Sequence, residues 1–321
     1  MRFIFGLLLL TLTGCGSLCA ANPSPRPAEE LSTEVRSSLA CPASYSFTKL
    51  ETQHEKETWA VESDNFSMHY QYIRSLGSRP KDLVIIFNIL KDKHQTVSGW
   101  LASNLTAMNY DCLIIQQEDF LSRKKLRPIL PDGGDRLDWD AYFSKNLQHL
   151  SLIINHWIPQ QEHLSGNYSF VGVSMGGILA VGAAACFPEA KITIAVMAGG
   201  DGSQVIMESQ ERLVKQEREA LIRHYSRNST RGKARAAIVA DIASLDFNIS
   251  RMAHCVDTNS IKQIISLYDT QVPTNTQWNL YHALGEPEVR TYPTGHITLG
   301  IFAWSVRDQI LKWLDDANRL R

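Results

Sequence analysis

Val171-Gly172-Val173-Ser174-Met175-Gly176-Gly177 is the stretch on which the fold turns. Before it stands Tyr168-Ser169-Phe170-Val171, which reads as a buried strand. After it the small, apolar residues Gly177-Ile178-Leu179-Ala180-Val181-Gly182-Ala183-Ala184-Ala185 read as a helix ending near Cys186. A serine at such a junction, with glycines two residues to either side, predicts a sharp strand-to-helix turn in strained backbone. The glycines let strand and helix approach. A helix beginning there also aims backbone N–H groups and a partial positive charge at the hydroxyl. Ser174 is therefore the candidate nucleophile.

The same rhythm extends in both directions. Asp82-Leu83-Val84-Ile85-Ile86-Phe87 is a continuous apolar run, as expected of a strand covered on both faces of a parallel sheet. A helical segment follows near Thr96 to Met108, then a strand at Asp111-Cys112-Leu113-Ile114-Ile115, a long helix near Trp139 to Trp157, and beyond the serine a strand at Ile192-Thr193-Ile194-Ala195-Val196. Earlier, Thr58-Trp59-Ala60-Val61 and Phe66-Ser67-Met68-His69-Tyr70-Gln71-Tyr72 alternate polar with apolar residues, predicting antiparallel strands with one wet face. The expectation is an α/β fold: a mostly parallel sheet covered by helices on both faces, with functional residues beyond the carboxyl ends of the strands. A helical insertion is expected after the sixth strand, at about 201–255, where Gln210 to Arg223 is rich in Glu, Arg, Lys and Leu. It reads equally as a surface addition or as a cap over the site.

A serine hydroxyl is a weak nucleophile until a base removes its proton. His296 ends Arg290-Thr291-Tyr292-Pro293-Thr294-Gly295-His296, a short strand and a loop before an amphipathic helix from about Ile301 to Leu314. An acid to orient it should lie between the two. Ile264-Ile265-Ser266-Leu267-Tyr268-Asp269-Thr270-Gln271-Val272-Pro273 supplies Asp269 at the end of an apolar strand. Asp269 would accept the Nδ1–H of the imidazole and fix its tautomer. The plainer reading is a cap for a helix from about Asn275, and the two roles are compatible.

In the order Ser, Asp, His these segments resemble the α/β-hydrolase superfamily from Leu83 to Leu314. Asp269-x-x-Val272-Pro273, Leu280-Tyr281-His282-Ala283-Leu284-Gly285 and Tyr292-Pro293-Thr294-Gly295-His296 are similar to the dienelactone-hydrolase and prolyl-oligopeptidase-like branch, whose members are esterases, lipases, other carboxyl hydrolases and peptidases. The resemblance implies an oxyanion hole built from the N–H of Met175 and an N–H of the loop after the Leu83–Phe87 strand. That loop commonly carries a His-Gly pair, but here it reads Phe87-Asn88-Ile89-Leu90, leaving Ile89 or Leu90 as the second donor.

The amino-terminal Met-Arg-Phe-Ile-Phe-Gly-Leu-Leu-Leu-Leu-Thr-Leu-Thr-Gly-Cys reads as a secretory signal at 1–14, too short in its apolar part to span a membrane as a helix. Leu12-Thr13-Gly14-Cys15 resembles the lipobox of bacterial lipoproteins, which implies lipid on Cys15. The alternative is an ordinary signal cut nearby. Residues 15–40, with Pro23, Pro25 and Pro27, read as lipid attachment and tether, and 41–321 as the folded domain. The resemblance implies an exported, membrane-anchored protein on the outer membrane or the periplasmic face.

Apolar content of 44%, charged content of 20% and a net charge of −1 describe an ordinary globular chain with no electrostatic footprint for nucleic acid. Without Cys15, five cysteines remain, an odd number, and no CxxC spacing supports zinc. Neither metal nor cofactor is expected. The expected activity is cleavage of a small-molecule carboxylic ester, or by the same chemistry an amide, through an acyl-enzyme on Ser174. The alternatives are a serine peptidase, disfavoured by the absence of propeller repeats, and a binding lipoprotein that has lost turnover.

Overall fold

The computed structural model describes residues 35, 39, 42, 44–63, 66–77, 81–89, 96–116, 139–227, 230–245 and 247–319. The expected signal at 1–14, Cys15, most of the tether, Cys19, Cys41 and Leu90 lie outside the described residues. Val35 is buried, and Leu39 packs against the core.

Strands β1 (Ser46–Gln53), β2 (Lys56–Ser63), β3 (Phe66–Ile73), β4 (Lys81–Phe87), β5 (Asp111–Gln116), β6 (Leu164–Val173), β7 (Thr193–Val196), β8 (Ile261–Ser266) and β9 (Glu288–Tyr292) form one sheet in the order β1-β2-β3-β5-β4-β6-β7-β8-β9. β1, β2 and β3 pair antiparallel and β3 joins β5 antiparallel; from β5 to β9 every pairing is parallel. Six parallel strands point their carboxyl ends at one rim.

Alternation along β4 explains its continuous apolar sequence. Leu83, Ile85 and Phe87 enter one core, Val84 and Ile86 the other. The first core lies under α2 (Trp139–Leu152) and α3 (Met175–Cys186), the second under α1 (Thr96–Ala107) and the carboxyl-terminal α9 (Ala303–Arg319). In β3, Met68, Tyr70 and Tyr72 are buried while His69 between them is exposed, the expected one-sided pattern. Two boundaries differ from expectation. The long helix near Trp157 ends as α2 at Leu152 and continues as a wider π turn over Ile153–Trp157, and α9 is preceded by a tighter turn at Thr298–Phe302.

The sheet also begins one strand earlier than the pattern suggested. β1 is exposed along nearly its whole length and is held by main-chain pairing to β2, so it has no apolar alternation to announce it. The insertion therefore follows the seventh strand. It consists of α4 (Gly202–Glu208), α5 (Arg212–Tyr225), α6 (Arg231–Ala243) and the short α7 (Ile249–Met252), before β8 resumes at Ile261. Ile206, Leu221, Ile222 and Ile238 give it a small core of its own. Arg218 closes it by donating through Nη1 to the carbonyls of Ile206, Met207 and Ser209, at 2.8–3.1 Å. α8 (Thr274–Ala283) fills the crossover from β8 to β9.

Candidate active site

Ser174 ends β6 and heads α3 with φ 57° and ψ −121°, a region that residues with side chains enter only under constraint. The constraint is visible on both sides. Its N–H donates to the Val196 carbonyl at 2.8 Å, and its own carbonyl receives the Ile178 N–H at 3.1 Å. A Cβ on Gly172 would fall 2.0 Å from the Gly176 carbonyl oxygen, and one on Gly176 would fall 2.2 Å from that of Phe87. The elbow is thus wedged against the end of β4, and only glycine fits at either position. Ser174 does not use its hydroxyl to cap α3.

Asp269 follows β8 and His296 follows β9. The two loops are zipped together by Leu267 N–H to Tyr292 O at 2.9 Å and Tyr268 N–H to Thr294 O at 2.8 Å. A bond between the Ser266 and Thr294 hydroxyls, at 3.1 Å, lies beneath them. The result is a contact of 2.7 Å between His296 Nδ1 and Asp269 Oδ2, with the carboxylate fully enclosed and the imidazole partly exposed. A carboxylate only accepts, so the hydrogen lies on Nδ1 and Nε2 is left as an acceptor at the rim. Asp269 does not cap α8: its Oδ1 takes the N–H groups of Gln271 at 2.8 Å and Val272 at 3.0 Å, while α8 starts at Thr274 without a side-chain cap.

The structure therefore brings Asp269 and His296 into contact and sets Ser174 on the same rim, at the end of β6, with β7 and β8 between it and β9. A hydrogen bond between Ser174 and His296 is not among the contacts of the described residues. Of the expected oxyanion donors, Met175 is the first residue of α3, where a helix leaves its N–H groups without partners inside the helix. The Ile89 N–H donates to Asn88 Oδ1 at 2.8 Å.

Gln277 escaped the sequence reading. Fully buried on α8, it donates through Nε2 to Asp269 Oδ2 at 3.1 Å and to the Val272 carbonyl at 2.8 Å, while its Oε1 accepts the Ser266 N–H at 3.1 Å. Gln277 and His296 thus share Oδ2 of the carboxylate, which Gln277 helps to hold in place. The insertion reaches the same turn: Ser209 Oγ donates to the Gln271 carbonyl at 2.5 Å, and Gln210 N–H to that of Thr270 at 2.6 Å. Nothing in the local pattern around Gln277 or Ser209 signals these long-range partners.

Among the described residues no group of three or more His, Cys, Asp and Glu side chains is placed to hold a metal ion, and no helix is long and apolar enough to cross a membrane. Among the described residues, Cys112, Cys186 and Cys255 form no disulfide.

Strand order, the elbow and the solved structures that the chain resembles together define the fold as that of the α/β hydrolases. No protein-family model matches the chain, and no curated protein matches it in sequence. Among solved structures, an acetyl xylan esterase from a Paenibacillus species matches with a TM-score of 0.61 at 16% identity over 88% of this chain and 96% of that one. An acetyl xylan esterase from a Thermoanaerobacterium species matches at 0.60 and 14% over 86% and 90%. The acylaminoacyl peptidase of Pyrococcus horikoshii matches at 0.52 and 13%, over 74% of this chain but 37% of its own. At these identities the likeness is one of fold.

Proposed function

We propose that the protein is a serine hydrolase that cleaves a carboxylic ester through an acyl-enzyme on Ser174. The observation that carries this reading is the 2.7 Å Asp269–His296 pair on the rim that also bears a strained elbow serine. In the proposed reaction His296 Nε2 takes the Ser174 proton as Oγ attacks the carbonyl carbon. The carbonyl oxygen becomes an oxyanion, and Asp269 stabilises the imidazolium. His296 then returns the proton to the departing alcohol, leaving the acyl group on Oγ. Water, deprotonated by the same imidazole, releases the acid and restores the serine.

The oxyanion is held by the Met175 N–H and by that of Ile89, where the charged oxygen displaces Asn88 Oδ1. An ionised acceptor binds an N–H about twice as strongly as a neutral amide oxygen does, which favours the exchange. Leu90 remains the other candidate donor in that loop. The Asn88–Ile89 bond is also the observation on the side of a second reading, a binding protein on the same fold without turnover.

The test is labelling by a fluorophosphonate together with turnover of aryl esters and peptide amides. Labelling and ester cleavage that disappear in Ser174→Ala and His296→Ala support the hydrolase. Labelling that persists without Ser174 would refute it; preference for the amides would favour a peptidase, and absence of turnover the binding protein. We further propose export and anchoring through lipid on Cys15, on the strength of Leu12-Thr13-Gly14-Cys15. Cys15→Ser should then release the protein from the membrane fraction, and a variant that stays there would exclude this anchor.

A further inference from the structure

α3 is buried along its whole length apart from two residues, Met175 and Ile178. Those two lie on one face of the helix, and both line a cavity of about 80 Å³ closed from the other side by the insertion through Val205, Ile242 and Phe247. Phe247 is backed by Phe143, its ring stacked at 6.1 Å and 11°. The cavity thus begins at the residue next to the proposed nucleophile and runs under the insertion between almost wholly apolar walls.

Its orientation relative to the acid-base pair is informative. None of its lining residues comes from the His296 loop or from the turn after Asp269. The leaving alcohol must meet His296 Nε2 to receive its proton, so the alcohol belongs on the His296 side. The group on the other side of the carbonyl, toward Met175, is the acyl chain. A water-sized occupant needs roughly 10–15 Å³ of such space, so the cavity takes roughly five to eight heavy atoms. That is far more than the single methyl of an acetyl group.

We infer that the protein selects medium-length, unbranched apolar acyl groups of about six to eight carbons, seated between Met175 and Ile178 of α3 and Val205, Ile242 and Phe247 of the insertion. This rests on the hydrolase reading of Ser174 and adds its substrate class. The insertion is then a wall that sets acyl length, resolving the choice between surface addition and cap.

The experiment measures kcat/KM of the full chain for 4-nitrophenyl acetate, butyrate, hexanoate, octanoate and palmitate. Each methylene that enters the cavity should raise kcat/KM by about three- to fourfold, with a fall once the cavity is full. The expected profile has a maximum at hexanoate or octanoate, more than tenfold above acetate. Ile242→Trp, which narrows the cavity from the insertion side, should lower the hexanoate-to-acetate ratio at least tenfold. The wild-type profile decides the matter if that variant does not fold. Ser174-dependent cleavage that is highest for acetate and declines with every added carbon would overturn the inference and leave the hydrolase reading standing. An unchanged ratio in folded Ile242→Trp would also overturn it. Absence of both ester turnover and fluorophosphonate labelling would remove the hydrolase reading, and the inference with it.

Discussion

Asn88 Oδ1 holds the N–H of the residue that follows it, Ile89, at 2.8 Å, at the point where β4 meets the elbow. The loop thereby satisfies internally a donor that the proposed transition state needs. Replacing Asn88 by Asp should turn a neutral competitor into a charged one that also repels the oxyanion. We expect Asn88→Asp to lower kcat/KM by about 10²-fold, the scale of losing one oxyanion donor, and Asn88→Ala to lower it by much less. Aryl-ester kinetics of the two variants check this; equal losses would show that the side chain does not compete at this position.

The clamp on Asp269 gives a second expectation. Asp269→Asn keeps the shape but disturbs the imidazole's tautomer, and kcat should fall by about 10³–10⁴-fold. Gln277→Leu removes one of the bonds that hold the carboxylate while leaving the His296 contact, so kcat should fall by about tenfold with KM little changed. Steady-state kinetics separate the two parameters. A rise in KM alone would place Gln277 in substrate binding instead.

Gly172 and Gly176 test the elbow as a folding element. An added methyl meets backbone, which has little room to yield. Overpacking within a core typically costs about 1–3 kcal/mol, and we expect Gly172→Ala and Gly176→Ala to reach or exceed the upper end of that range. Urea unfolding midpoints measure it, with Gly232→Ala, whose Cβ would meet open space, as the control.

Acid sensitivity has a source far from the site. Burial acts to raise the Asp82 carboxyl, but hydrogen bonds from Lys191, Ser165 and Asn167 outweigh it and hold the group below its ordinary range. The Lys191 Nζ contact is 2.7 Å. A carboxyl lowered in the folded state contributes stability above its unfolded pKa, about 3.9, and that contribution is lost as pH falls through the lower folded value. Unfolding free energy should therefore decline below about pH 4 less steeply in Asp82→Asn than in the wild type. Parallel urea titrations at pH 6 and pH 3 check the sign.

The legible parts of the molecule were those whose physics is local. A glycine forced by a backbone contact, as at Gly172, and strands covered on both faces, as at β4, leave a pattern within a few residues. The meeting of Asp269 and His296 could be anticipated because both follow neighbouring parallel strands and so lie at one rim of the sheet. Gln277 could not, since its partners Asp269 and Ser266 belong to other elements and a buried amide in a helix has no periodicity of its own. The same holds for β1, an exposed edge strand, and for the Asn88 bond, whose occupation of the Ile89 N–H depends on a rotamer.

The bonds from Ser209 and Gln210 end on Gln271 and Thr270, the two residues directly after Asp269. Whatever tilts the helical insertion therefore pulls on the carboxylate as well, and in the proposed reaction chain entry and proton relay would share one mechanical joint. Loosening that joint, for instance with Arg218→Ala, should blur acyl-length preference and slow turnover together, and kinetics on the ester series would reveal the two defects moving in step.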